Sequence, residues 1–348
     1  MNLRWESSFF PNAVGNMIGF ASADSKLSRH VGKYANLREE ADVVVHFGGA
    51  AVHDYQPRKG KFNVLFTMYE NVHLPNMAID RASKFDLIVV PSQWCKDSFA
   101  KVIRKPIEVC PLGVDVNSFA YKRRRRKPGE KFRFLYVGAP NPRKYTVLPQ
   151  LFRSFLSRIP DAELYMKTTG SNLEVSAKLE RLGVAEKEGE VVTGDNWIVD
   201  NRMLDESELV DLYHSSHAFI FLTCGEGFGL TGLEAMATGL PLVVSNWSGV
   251  TEYANSRNST LVRCDYADHR QKFEDMGIHT KNTALLEPYA HWVGWPDLNA
   301  AAAATHLVYS NYDLATKKAK RARETAESLT WDSTAQRLCA ILRRYGIV

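Results

Sequence analysis

The chain has little that would let cysteine or carboxylate clusters hold a metal. Its five cysteines are scattered without a Cys-x-x-Cys pair, which argues against a disulfide framework and against a zinc site. No Asp-x-Asp triplet occurs, so none is offered to a divalent ion. Long apolar runs are missing too. The alanines at 300–304 fall far short of the roughly 20 residues a membrane span requires. The opening MNLRWESSFFPNAVGNM lacks the charged start and continuous apolar core of a secretory leader. A reducing cytoplasm is the expected address, with no cofactor. No internal repeat is found. What is present is ordinary globular usage, 45% hydrophobic and 24% charged, in a chain of 348 residues, a length suited to two domains with substantial cores.

The net charge of +5 is localised. Residues 121–130, YKRRRRKPGE, carry six Lys/Arg against one Asp/Glu, and without that excess the chain is neutral. The segment follows the PLGVD turn, residues 111–115, and precedes a fresh apolar run from Phe132, so it reads as a solvated interdomain linker. A second reading has Arg123 to Arg126 attract a polyanion across a cleft mouth. No nucleic-acid-binding motif accompanies the run.

Each half alternates strand-like and helix-like stretches. Strands are expected at 41–47, 62–68, 86–91 and 107–110, then at 132–138, 162–166, 218–223 and 242–245, with helices at 92–103, 207–213 and 230–238 and a last amphipathic helix over 328–345. This pattern predicts parallel sheets with helices on both faces, whose ligands gather at the carboxyl ends of strands. The densest segment runs from Ala218 to Glu252 and sets Glu226 and Glu234 eight positions apart around a glycine-rich loop. Gly225, Gly227 and Gly229 let backbone approach a ligand, and the first amides of the following helix favour a phosphate. Glu234, among Leu233, Ala235 and Met236, needs a partner for its carboxylate, and a ribose diol supplies two hydroxyl donors.

In EGFGL, LEAMA and GLP the chain resembles the retaining glycosyltransferases of family 4, whose signature is E-x7-E. The resemblance implies a GT-B fold, two Rossmann-like doubly wound domains facing across a cleft. It divides the chain into an acceptor side, 1–120 with a closing helix at 330–348, and a nucleotide-sugar side, 121–329. It implies that Glu226 contacts the transferred sugar, that Glu234 contacts the ribose, and that Gly227, Phe228, Gly229 and Leu230 present amides to the donor. Arg143 and Lys144, in the loop after the strand FLYVG, match the family's Arg-Lys-Gly. They would hold the diphosphate in place of a metal. Tyr145 stands where the pattern has glycine. Lys167, at another strand end, is a weaker candidate for the same wall.

On the acceptor side, FTMYENVHLPN at 66–76 follows a strand, and Glu70 within it could orient or partly deprotonate the incoming hydroxyl. His46 and His73 flank the same mouth and rank below it. Gly15, with Gly19, would let the first loop approach the phosphates. Trp197 and Arg202 are loose candidates for reading the base. The expected activity is transfer of a sugar from a UDP- or GDP-sugar to the hydroxyl of a glycan or lipid-linked sugar. Transfer to hydroxymethylated pyrimidines in DNA, a phosphorylase-like reaction, and nucleotide-sugar binding without catalysis are the alternatives.

Overall fold

The computed structural model describes residues 3–6, 42–49, 56–139, 144, 147–168, 189, 191–268, 271–272 and 292–347. Short apolar runs bounded by turn residues make the first sheet: β1 (Leu3–Glu6), β2 (Val43–Phe47), β3 (Phe62–Phe66), β4 (Leu87–Val90) and β5 (Ile107–Val109). All are parallel and lie side by side in chain order. Among the described residues two helices join them, α1 (Asn76–Ala82) and α2 (Gln93–Ala100). Side chains alternate between two cores, as a strand's period of two requires. Leu65, Ile88 and Val90 face Phe85, Cys95 and Phe99, while Val64, Phe66, Leu87 and Val89 enter a larger core shared with the second half of the chain.

The second sheet contains β6 (Phe132–Val137), β7 (Ala162–Lys167), β8 (Val191–Thr193), β9 (Trp197–Asp200), β10 (Ala218–Phe221), β11 (Leu242–Ser245) and β12 (Thr260–Val262). Its helices are α3 (Val147–Ser154), α4 (Glu206–Ser215) and α5 (Leu230–Ala237). The strand order is β12-β11-β10-β6-β7-β9-β8, parallel except for β8 against β9. The chain leaves β6 toward β7 and later returns on the other side with β10. Parallel crossovers are right-handed, so this reversal puts helices on opposite faces and opens a crevice at the carboxyl ends of β6 and β10.

Four elements beyond these, two strands and two helices, were not expected. An antiparallel ribbon, β13 (Cys264–Asp268) with β14 (Trp292–Pro296), follows the sheet. The chain then forms α6 (Leu298–Ser310), which absorbs the alanine run, α7 (Tyr312–Ser328) and α8 (Trp331–Arg344). The helix expected over 328–345 is α8, starting three residues later because Thr330 leaves helical geometry and closes a capping box with Ser333. α8 lies on the first sheet. Its Thr334 hydroxyl donates to the Pro111 carbonyl at 2.8 Å, and Arg344 pairs with Glu108 at 2.9 Å. Among the described residues no helix is long and apolar enough to cross a membrane.

The basic segment is the irregular, largely exposed connection expected of it, but two of its arginines are committed to the fold. Arg124 is 8% exposed. Its guanidinium donates to the carbonyls of Tyr213, His214, Ser216 and Thr238 over 2.8–3.1 Å. These oxygens close the carboxyl ends of α4 and α5, where a helix leaves carbonyls unmet and its dipole favours a cation. Arg126 is held by Asp161 and lies over the rings of Phe132 and Tyr309. Only Arg123 and Arg125 of the four are exposed. Helix carboxyl ends sit at the amino edge of a parallel sheet, so the run lies at the end opposite the crevice, not across its mouth.

Candidate active site

The crevice is built by the loops after β6 and β10. Lys144 comes from the first and Glu226 from the second, and their side chains meet: Nζ lies 3.2 Å from Oε1 and 3.3 Å from Oε2. Glu226 is 5% exposed. A carboxylate that deep needs a charged partner, and two loops 82 residues apart supply the pair. The arrangement offers an ammonium for an anion and a carboxylate for hydroxyl donors in one place.

The loop carrying Glu226 is fixed through its own backbone. The carbonyls of Cys224, Glu226, Gly227 and Gly229 accept from Gly294 N–H (3.0 Å), Gly249 N–H (2.8 Å), Ser92 Oγ (2.8 Å) and Tyr253 OH (2.6 Å). Glu226 N–H donates to Ser248 Oγ at 2.8 Å. Ser248 adopts φ 64°, a left-handed conformation uncommon for a residue other than glycine, and that turn aims its hydroxyl at the loop. Gly229 has φ 87°, and a Cβ there would come within 2.8 Å of Phe221 and Val250, so both conformation and space require glycine. Phe228 is buried, edge-on to Tyr253 at 5.4 Å. Leu230 opens α5 directly after Gly229, so the helix amino end faces the crevice.

Glu234 sits one turn further along α5. The partner found for it is Tyr213 on α4, whose hydroxyl donates to Oε2 at 2.8 Å. Burial, only partly offset by that hydrogen bond, pushes its pKa up to about 7, with the Glu206 charge adding to the rise.

The first sheet closes the other wall. Glu70, half-buried, lies in the loop after β3. The same loop places Met68 against Gly227, where a Cβ on the glycine would be 2.7 Å from that of Met68. Cys95 Sγ bridges Tyr69 O and Gly227 O at 3.4 and 3.5 Å, and burial raises its thiol pKa to about 12, which leaves it inert. The amino end of α2 meets the other half as well: Gln93 N–H donates to Glu252 Oε2 at 2.8 Å.

Other residues singled out in the sequence are engaged within the fold, with Lys167 and Arg202 at carboxyl strand ends on the crevice side of the sheet. His46 is buried in β2 beside Asn63 and edge-on to Phe85, with burial lowering its pKa. Lys167 is buried at the end of β7, where it donates to the Thr168 carbonyl. Arg202 is engaged by Asp200 at 2.8 Å. Trp197 packs on Gly194 in the β8–β9 turn, not at the strand's carboxyl end. Arg143 and Gly15 lie outside the described residues. Sequence reasoning missed Ser92, Tyr213 and Ser248. Of these only Ser92 carried a local signal, a serine directly before a helix.

The family described as Family 4 Glycosyltransferase in conflict systems matches residues 94–338. The mannosylfructose-phosphate synthase of Agrobacterium fabrum is 26% identical over 68% of this chain and 52% of its own length. The D-inositol 3-phosphate glycosyltransferase of Paenarthrobacter aurescens is 26% identical over 54% of this chain and 48% of its own. The chain therefore spans about half the length of the curated relatives it matches. Among solved structures, the sucrose-phosphate synthase of Thermosynechococcus elongatus superposes with a TM-score of 0.66 at 16% identity, over 91% of this chain and 76% of its own. The shared architecture is GT-B, two Rossmann-like α/β units. With most of its length matched and its crevice at the sheet's switch point, the chain belongs to the family 4 glycosyltransferases of conflict systems.

Proposed function

We propose that this protein transfers a sugar from a nucleoside diphosphate sugar, UDP- or GDP-linked, to a hydroxyl of a glycan or lipid-linked sugar, with retained anomeric configuration and no metal. The observation that carries this reading is the 3.2 Å contact of Lys144 with Glu226 at the switch point. In the proposed complex Lys144, with Arg143, neutralises the diphosphate, aided by the amino end of α5 and the amides of Gly227, Phe228, Gly229 and Leu230. Glu226, released toward the ligand, accepts from hydroxyls of the transferred sugar. Glu234 accepts from the ribose, Gly15 lets the first loop approach the phosphates, and Glu70 orients the incoming hydroxyl. The bond from anomeric carbon to phosphate oxygen breaks, the bond to the acceptor oxygen forms on the same face, and the acceptor proton passes to the leaving phosphate. No enzymatic nucleophile is used. Residues 1–120 with 330–348 form the acceptor side and 121–329 the donor side, in a cytoplasmic setting. The reading with modified DNA as acceptor loses its main support, because Arg124 and Arg126 are committed to the fold.

Thermal-shift titration with UDP- and GDP-sugars tests this. A true donor at a hundred times its dissociation constant stabilises by about 2.7 kcal/mol. Glu226→Ala lowers turnover by roughly 100-fold or more, Lys144→Ala weakens donor binding, and a chelator changes nothing. If no nucleotide sugar is bound or consumed, the reading is wrong.

A further inference from the structure

The ribbon of β13 and β14 has one buried and one aromatic side. Ala267, Val293 and Trp295 turn inward, whereas Tyr266 is 50% exposed and Trp292 39%. Register pairs Tyr266 with Gly294 and Asp268 with Trp292, so the two rings are diagonal neighbours on one face. They stack at 4.7 Å between centroids and 16° between planes. Trp247 flanks Tyr266 at 6.1 Å. Gly294 makes that approach possible, since a Cβ there would lie 2.2 Å from the Trp247 ring. The three rings thus form a row with Tyr266 in the middle.

That row is tied to both walls of the crevice. Gly294 N–H donates to the carbonyl of Cys224, two residues before Glu226. Val72 N–H, two residues after Glu70, donates to the Trp292 carbonyl at 3.2 Å, and Tyr266 OH lies 3.1 Å from His73 Nε2. Large aromatic rings left exposed together at a cleft mouth mark a binding surface.

The geometry points to an acceptor platform for an uncharged saccharide. The slightly positive C–H face of a pyranose lies on the outer, electron-rich face of Trp292, which Tyr266 backs from the other side, and its hydroxyls turn toward Glu70 and Glu226. This rests on the glycosyl-transfer reading above. A nucleobase would stack as well, but a nucleic-acid strand also brings phosphates that need cations. On the aromatic face of the ribbon the charged neighbour is Asp268, opposite Trp292 in the register, and Glu70 lies across the mouth. Arg263, next to the ribbon, is held by Asp297 at 2.9 Å and Asp265 at 3.7 Å. A neutral polyol is the ligand this surface suits.

The test uses the full chain with glucose, mannose, N-acetylglucosamine, maltose and cellobiose as probes, beside a ten-residue oligothymidylate. Saturation transfer from aromatic protons should reach the C–H protons of at least one saccharide. Trp292→Ala should weaken that binding about tenfold or more, Tyr266→Ala should weaken it less, and Trp292→Phe should keep most of it, which separates ring loss from misfolding. Donor binding, read by thermal shift, should stay within about twofold in Trp292→Phe. The proposal is overturned if no saccharide binds the unaltered protein, if Trp292→Ala binds as well as it does, or if oligothymidylate alone binds in a Trp292-dependent way. If nucleotide sugars fail to shift the melting temperature while a saccharide binds at Trp292, the donor reading falls and the platform stands.

Discussion

The Ser92 hydroxyl donates to the Gly227 carbonyl at 2.8 Å while its oxygen accepts from Cys95 N–H at 3.3 Å. A hydroxyl has one donor and two acceptor sites, so one fully buried side chain caps α2 and clamps the loop of the opposite unit. Ser92→Ala removes the cap and leaves the buried Gly227 carbonyl with only the long Cys95 Sγ contact, each loss worth about 1 kcal/mol or more. Thermal or urea unfolding should show roughly 2–3 kcal/mol of destabilisation, with turnover falling as the Glu226 loop loosens. Ser92→Thr should restore most of both. A loss below about 0.5 kcal/mol, the range of ordinary surface changes, would show that the contact is not made in solution.

Arg124 and its neighbours make a sharper comparison. Its buried guanidinium answers four helix-end carbonyls, and burial lowers its pKa only to about 10, so the charge persists at neutral pH. Hydrogen bonds to a charged group are worth about 1.5–3 kcal/mol each. Arg124→Ala should therefore destabilise by at least about 3 kcal/mol. Lysine should recover little, lacking the planar fork. Arg123→Ala and Arg125→Ala should stay within about 0.5 kcal/mol. Equal effects from all of them in a denaturation series would mean that the run acts as one solvated patch.

The same contrast shows what was legible in the chain. β10, α5 and β11 are visible to within two residues, because a buried parallel strand is a continuous apolar run and Gly239 closes the helix. The pairing of Glu226 with Lys144 rests on neighbouring strand ends, which the alternation of strands and helices anticipates. Arg124 is different. Four like charges in a row carry no mark of which one turns inward, since its partners are carbonyls 89 to 114 residues away. β13 and β14 escaped for a related reason: CDYAD and WVGWP have no clean alternation and find each other only through pairing across the chain. Ser248 was unreadable because its role lies in a backbone angle.

The raised pKa of Glu234 should make the proposed donor site pH-sensitive. Its carboxyl, raised to about 7 chiefly by burial, keeps a proton in the fold that the unfolded chain loses near its ordinary value of 4.5. Between those values the native state binds more protons, so stability falls as pH rises and levels off above about 7. The total is on the order of 1–3 kcal/mol, and Glu234→Gln should abolish the slope. A ribose diol donates hydrogen bonds and favours the ionised form, so donor binding expels the proton at low pH. Affinity should then rise toward neutrality by up to about tenfold per pH unit and flatten above it, with proton release visible by calorimetry in buffers of different ionisation enthalpy. In Glu234→Gln binding should be weaker and independent of pH over that range. The same pH profile in both proteins would remove Glu234 from the donor site.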